Sequence, residues 1–313
     1  METIIKTKNL SKYYKTTKAV QKLSLTVNKG EIYGFLGVNG AGKTTTIRLL
    51  LGMINATKGT AYLNEKPVSY IKGEGWNQVG YLVEDTNSYP ELTVEENLEI
   101  IYHLRNLSDK NVIDQMINKL KLARYRNVKF KNLSSGNKQR LGLAKALIHN
   151  PEVLILDEPT KGLDPAGIVE IRKLLKELSQ KNNTTIFISS HILSEVSKLV
   201  DRIGIIDGGK LIQEIDQEDL EKIKDKYLLI DTVDNKKAQS IISEMGYEVF
   251  ENEDYALRID NIQALNHPEK LSVELVNKGV PPKTIKIEQE DLESYFLKLT
   301  NNNESGEIQN ETT

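Results

Sequence analysis

GVNGAGKTT, residues 37–45, is a glycine-rich run set between an apolar segment and a periodic one. Before it, Ile32, Tyr33, Phe35 and Leu36 predict a buried strand; after it, Ile47, Leu50 and Leu51 recur at helical spacing. Between them, Gly37, Gly42, Lys43 and Thr44 fill the pattern G-x-x-x-x-G-K-[ST]. Gly37, Gly40 and Gly42 are expected to adopt backbone angles closed to other residues, so that successive N–H groups turn inward toward a phosphate at the helix N-terminus. Lys43 then reaches the β- and γ-phosphates, and the Thr44 hydroxyl meets Mg²⁺. A glycine-rich turn without a ligand is the plain alternative, and the flanking strand and helix weigh against it.

Outward from this run, residues 3–27 alternate strand-like segments with polar turns, and a mixed helical stretch spans about Leu92 to Asn150. Val153–Leu156 is a short continuous apolar run, as in a parallel strand buried on both faces. Asp164-Pro165 supplies an N-cap and a first-turn proline for a helix with Ile168, Ile171, Leu174, Leu175 and Leu178 along one stripe. Thr184–Ser189 and Ile203–Ile206 read as further strands, the latter turning at Asp207-Gly208-Gly209 into Lys210–Ile215. Alternating strands and helices imply an α/β sheet with crossover helices.

From about Asp216 the composition becomes charged and helical, as in a linker. Beyond it, strands are expected at Tyr227–Val233, Tyr247–Phe250, Tyr255–Ile259 and Lys283–Ile287, and helices at Lys236–Met245, Glu269–Asn277 and Asp291–Leu299. The order βαββαβ plus a helix matches a small ferredoxin-like unit. Residues 1–220 are thus expected to form a nucleotide-binding domain and 221–300 an accessory α+β domain, with 301–313 a disordered tail.

The strand at Val153–Leu156 ends in Asp157-Glu158, two carboxylates at the end of a parallel strand where open α/β sheets bind ligands. Because side chains alternate along a strand, the two acids can take different tasks: Asp157 holds Mg²⁺ through water and Glu158 orients the attacking water. An acid pair that merely caps the turn at Pro159 is the bland alternative.

These residues carry a family resemblance. Over roughly residues 1–220 the chain resembles the nucleotide-binding subunit of an ABC transporter, with phosphate loop, Gln-loop region, signature, acid pair, D-loop and switch histidine in that order. LSSGNKQRLGLAKAL, Leu133–Leu147, is similar to the signature and its helix; Gly162-Leu163-Asp164 to the D-loop; and His191, after Ser189-Ser190, to the switch histidine that contacts the γ-phosphate. Tyr14 in LSKYYK matches the aromatic that stacks on adenine, with Tyr13 as competitor. The resemblance implies a P-loop NTPase core of the ABC ATPase kind, with antiparallel β and helical subdomains. It implies ATP contacts from Tyr14, Gly37, Asn39, Gly40, Ala41, Gly42, Lys43, Thr44 and Thr45, and from Ser134 and Gly136 toward ATP on a second copy. Catalytic roles fall to Lys43, Glu84, Glu158 and His191, and Mg²⁺ contacts to Thr44, Glu84 and Asp157. One chain cannot complete a site, so a homodimer sandwiching two ATP molecules is expected.

Two places depart from the commonest pattern. Glu84, in VGYLVEDT, occupies the Gln-loop position, and Ser135 and Asn137 stand where glycine and glutamine are usual. Glu84, KGLDPAGIVEIRKLL and LESYFLKLT resemble a subset of exporter ATPases that includes bacitracin-resistance, lantibiotic-immunity and sodium-efflux types.

Composition adds bounds. The chain has 313 residues, 42 basic and 44 acidic, and a net charge of −2, so no bias toward nucleic acid is expected. It has no cysteine, which excludes disulfides and thiol chemistry. METIIKTKNLSK lacks the apolar core of a signal peptide, and no run approaches the roughly 18 apolar residues of a membrane span. The expectation is a cytoplasmic ATPase, peripheral on the membrane through a separate permease subunit and powering export. Rival readings are a soluble ABC ATPase of translation control or DNA repair, and a regulatory ATP-binding module. A single cassette without sustained heptads weighs against the first of these.

Overall fold

An antiparallel sheet opens the chain: β1 (Thr3–Tyr14) pairs with β2 (Thr17–Leu23) and β3 (Thr26–Asn28). Ile5, Leu10, Val20, Leu23 and Val27 are buried, while Lys8 and Lys22 stay exposed. β4 (Ile32–Leu36) is buried along its whole length and feeds α1 (Lys43–Leu50), which buries Ile47 and Leu50. β5 (Lys58–Leu63) and β6 (Lys66–Pro67) return to the first sheet, giving the order β2-β1-β5-β6 with β3 beside β1. The computed structural model describes residues 2–84, 88–223, 226–251, 256–289 and 295. The chain divides into two units, Met1–Gln217 and Glu218–Thr313.

After β7 (Val79–Leu82) come α2 (Val94–Leu104), α3 (Asn111–Lys119) and α4 (Ser135–Leu147), which touch pairwise and bury Leu98, Ile113, Ile117 and Leu141. Thr93 and Glu96 close a reciprocal capping box on α2, and Ser134 caps α4 by accepting from the Asn137 N–H. β8 (Val153–Asp157), α5 (Pro165–Asn182), β9 (Thr185–Ser190), α6 (Leu193–Val196), β10 (Arg202–Asp207) and β11 (Lys210–Asp216) complete the first unit.

The central sheet runs β11-β10-β4-β9-β8-β7, parallel except for the β10–β11 hairpin. Every residue of β4, β8 and β9 is buried, as a parallel sheet covered on both faces requires. Register sets Leu36 opposite Ser190 and Asp157 opposite Ser189, so the carboxyl ends of β4, β9 and β8 lie side by side. That row carries the site.

Where a linker was expected from about Asp216, α7 (Gln217–Ile223) runs straight on from β11. The second unit then comprises β12 (Lys226–Thr232), α8 (Asn235–Glu244), β13 (Phe250–Glu251), β14 (Leu257–Ile259), α9 (Ile262–Asn266), α10 (Pro268–Asn277) and β15 (Pro282–Gln289). Its sheet order is β13-β14-β12-β15, with all neighbours antiparallel, over a core that includes Leu228, Ile230, Ile242, Ile259 and Leu271. The strand expected at Tyr247–Phe250 starts only at Phe250: the chain turns at Gly246 (φ 86°), and Tyr247 and Val249 pack against the core instead of pairing. The expected helix at Asp291–Leu299, Tyr295 apart, and the tail 301–313 lie outside the described residues. Among the described residues, no helix is long and apolar enough to cross a membrane.

Candidate nucleotide site

The loop from β4 to α1 is shaped by two different demands on glycine. Gly42 caps α1 at φ 108°, and a Cβ there would stand 2.4 Å from the Ala19 carbonyl oxygen. Gly37 differs from the expectation: it does not take a positive φ, and its requirement is space, since a Cβ would come within 2.5 Å of the Ile206 carbonyl oxygen. The β10–β11 turn braces the loop from the side, with Gly209 N–H donating to the Ala41 carbonyl at 3.0 Å and Gln21 N–H to the Gly209 carbonyl at 2.7 Å. Lys43 is 6% exposed; its ammonium donates to the carbonyls of Gly37 (2.7 Å) and Val38 (3.2 Å) and stands 3.5 Å from Glu158 Oε1.

Asp157, the last residue of β8, accepts from Thr44 Oγ1 at 2.7 Å and from Ser189 Oγ at 2.5 Å. Glu158 follows in the left-handed region, at φ 49°. It is held there by its N–H donating to Ser189 Oγ (3.1 Å) and by Gln139 Nε2 donating to its carbonyl (3.0 Å). Its carboxylate lies 2.8 Å from His191 Nδ1 through Oε2. Lys43, Thr44, Asp157, Glu158 and His191, drawn from three distant stretches, therefore meet at the carboxyl ends of β4, β8 and β9. Thr44 and Asp157 offer oxygen only, the donor chemistry of a hard divalent cation that keeps other positions for phosphate and water. The sequence reading missed Ser189 and Gln139. Ser189 had a signal, a hydroxyl pair just before His191; Gln139 showed only as a polar residue among the apolar positions of α4.

A cleft of about 790 Å³ opens over this row, lined by Thr17, Lys18 and Ala19, by Asn39, Gly40 and Gly42–Thr45, and by Asp157, Glu158, Gln139, Lys161 and Gly208. Glu84 lies at its rim, at φ 55°. Its carboxylate is on Arg48 Nη2 at 2.5 Å rather than on Thr44 or Asp157, and this contact raises the Arg48 pKa. Tyr14 does not line the cleft. It stands opposite Thr17 in the β1–β2 register, 44% exposed, with Lys12 Nζ 4.9 Å from its ring centroid. Ser134 and Gly136, at the start of α4, also fall outside the lining: Ser135 Oγ lies 3.4 Å from the Gly162 carbonyl, and a Cβ on Gly136 would come within 3.0 Å of the same oxygen. Asp164 caps α5 by accepting from the Gly167 N–H at 3.0 Å.

A second cavity, a groove of about 770 Å³, lies on the other side of Glu84 between the end of α1, β7, α2 and α4. Met53, Tyr81, Tyr89 and Leu104 are exposed along it.

A phosphate loop ahead of α1 in a mostly parallel sheet, with an acid pair at the end of β8 across the intervening β9, defines a nucleoside triphosphatase. A family model described as ABC transporter matches residues 20–161. The chain is 43% identical over 303 residues to the bacitracin transport ATP-binding protein BcrA of Bacillus licheniformis, covering 96% of this chain and 98% of that one. It is 40% identical to the BcrA of Enterococcus faecalis over 96% of this chain and 97% of that one. With the lantibiotic transport ATP-binding protein SrtF of Streptococcus pyogenes it shares 34% identity over 61% of this chain and 81% of that one. Among solved structures, the dimeric bacterial ABC transporter cassette MJ0796 superposes with a TM-score of 0.63 at 26% identity, over 68% of this chain and 99% of that one. The chain belongs to the ABC transporter family as an ATP-binding cassette, the class of subunit that hydrolyses ATP to power transport.

Proposed function

We propose that this chain powers an exporter of antimicrobial peptides of the bacitracin or lantibiotic kind, as a homodimer on the cytoplasmic face of the membrane beneath a separate integral membrane subunit. The cargo rests on the names of the relatives, two of which match nearly the whole chain, and the direction on the resemblance of Glu84, KGLDPAGIVEIRKLL and LESYFLKLT to exporter ATPases. The single observation behind the chemistry is the convergence of Lys43, Glu158 and His191 beside the Thr44–Asp157 pair. Lys43 exchanges its two carbonyl acceptors for the β- and γ-phosphates, while loop N–H groups at α1 hold the same anion. Glu158 orients the attacking water, and His191, hydrogen-bonded to it, steadies that water and the γ-phosphate. Mg²⁺ held by Thr44 and Asp157 supplies charge neutralisation of the phosphates. The start of α4 at Ser134 and Gly136 does not serve the cleft of its own chain, which fits a role on the nucleotide of a second copy.

Glu84 borders both the cleft and the groove, so it is the residue through which ATP state reaches the membrane subunit, whose cytoplasmic helical segment docks in the groove. The second unit, a ferredoxin-like accessory domain from its βαββαβ order and antiparallel sheet, adjusts dimerisation or partner choice. Glu158→Gln tests the chemistry: it retains ATP binding and removes the carboxylate, so the variant should persist as an ATP-bound dimer on size-exclusion chromatography in Mg-ATP. A strictly monomeric profile together with wild-type turnover would sink the proposal.

A further inference from the structure

The groove beside Glu84 combines an apolar rim with a basic interior. Met53, Tyr81, Tyr89 and Leu104 are exposed along it, while Arg48, Arg105 and Lys145 line it, with His149 beside them, against one carboxylate among the described residues, Glu84. Glu84 is already on Arg48 at 2.5 Å. Arg105, at the end of α2, donates to uncharged oxygens: the carbonyls of Trp76 (2.7 Å) and Val79 (3.1 Å) and, at 3.5 Å, Asn77 Oδ1. No carboxylate among the described residues pairs with it, and burial lowers its pKa. His149 shares one of these acceptors, with a ring nitrogen, Nε2, 3.2 Å from the Val79 carbonyl. That contact makes Nε2 the donor and leaves Nδ1 a bare acceptor, which is buried and has no partner among the described residues.

A purely apolar segment laid across this groove would remove Arg105 from water without compensation, a cost that removal of apolar surface does not offset. A carboxylate beside the guanidinium replaces the lost water with charge-assisted hydrogen bonds. We propose that the cytoplasmic segment of the membrane subunit seated in this groove is an amphipathic helix carrying an Asp or Glu, whose carboxylate pairs with Arg105 next to His149, with apolar side chains on either side packing against Leu104 and Tyr81. Lys145, which donates to Ser88 Oγ at 3.1 Å, adds positive potential on the same wall. The proposal rests on the reading that the groove receives the membrane subunit, and the test separates the two.

The chain contains no cysteine, so Leu104→Cys is a unique cross-linking handle. Coupled to a short thiol-to-photoreactive linker in the complex with its membrane subunit, it should capture one cytoplasmic segment, identified by mass spectrometry. Each Asp and Glu of that segment is then changed to its amide, and the affinity of each variant for wild type and for Arg105→Gln is measured in detergent. One acidic position should lose about 10- to 100-fold in affinity, the range for a charge-assisted contact. Arg105→Gln should cause a similar loss, the double variant should lose little more than either single one, and Arg105→Lys should restore part of it. The amide changes in the partner leave this chain intact, so they read the contact even where Arg105→Gln disturbs the fold. A cross-linked segment whose acids can all be neutralised without loss, or losses that simply add, would overturn the acidic contact while leaving the docking reading in place. No cross-link to the membrane subunit from Leu104→Cys would overturn the docking reading itself.

Discussion

Ser189→Ala removes one hydroxyl that serves both acids of the site. In the wild type, Ser189 Oγ donates to Asp157 Oδ1 and accepts from the Glu158 N–H, and Asp157 is only 5% exposed. The Glu158 N–H keeps a second acceptor, the Ser189 carbonyl at 3.3 Å, so most of the loss falls on the carboxylate. A hydrogen bond to a charged, buried acceptor contributes about 1.5–3 kcal/mol. At roughly 2–4 °C per kcal/mol for a unit of this size, the melting temperature should fall by roughly 3–12 °C. Turnover should drop as well, by about tenfold or more, because Glu158 loses one of the bonds that hold its left-handed backbone and aim its carboxylate. Calorimetry of wild type and variant, with ATPase rates at saturating Mg-ATP, gives both numbers. A melting temperature within about 1 °C of wild type, with full turnover, would show that Thr44 and Gln139 suffice to hold the acid pair.

Three further outcomes follow from other parts of the molecule. Glu84→Gln keeps the shape but weakens the grip of Arg48, so it should leave ATP binding nearly unchanged and alter hydrolysis mainly in the complex with the membrane subunit; equal losses in isolated chain and complex would refute a coupling role. Burial, reinforced by Arg105, lowers the His149 pKa from 6.5 to about 4. Between those values the unfolded chain binds a proton that the folded one does not, so stability falls as pH drops; denaturant titrations should show His149→Gln losing about 2 kcal/mol less than wild type between pH 7 and pH 4.5, and identical losses would refute this. A chain ending at Gln217, where the first unit ends, should fold and bind ATP, and an insoluble or non-binding product would show that the units share a core.

The phosphate loop, the acid pair and the signature helix were legible because each is a local pattern. Glycine at positions 40 and 42 reports dihedral demand, the run Val153–Leu156 reports burial on two faces, and Ser134 reports a helix start. Much of the second unit's strand-helix order was legible for the same reason, but not Tyr247–Val249, where side-chain packing replaced strand pairing, nor α9, a short helix capped by Asn261 that the sequence reading did not expect.

Local sequence thus carries the type of most elements and the chemistry each can offer: a phosphate cradle, a lysine, a hydroxyl, two acids and a histidine. Tertiary structure alone decided which of these groups touch. Ser189 serves Asp157 because β8 and β9 pair in that register, a one-residue choice that periodicity does not encode. Glu84 meets Arg48 from 36 residues away, Tyr14 stays outside the cleft while Thr17–Ala19 line it, and Gly37 is needed for the space beside Ile206 rather than for its angle. Local patterns record the preferences of single residues for dihedral and solvent, whereas contacts between distant residues arise only when crossovers and sheet register close the fold.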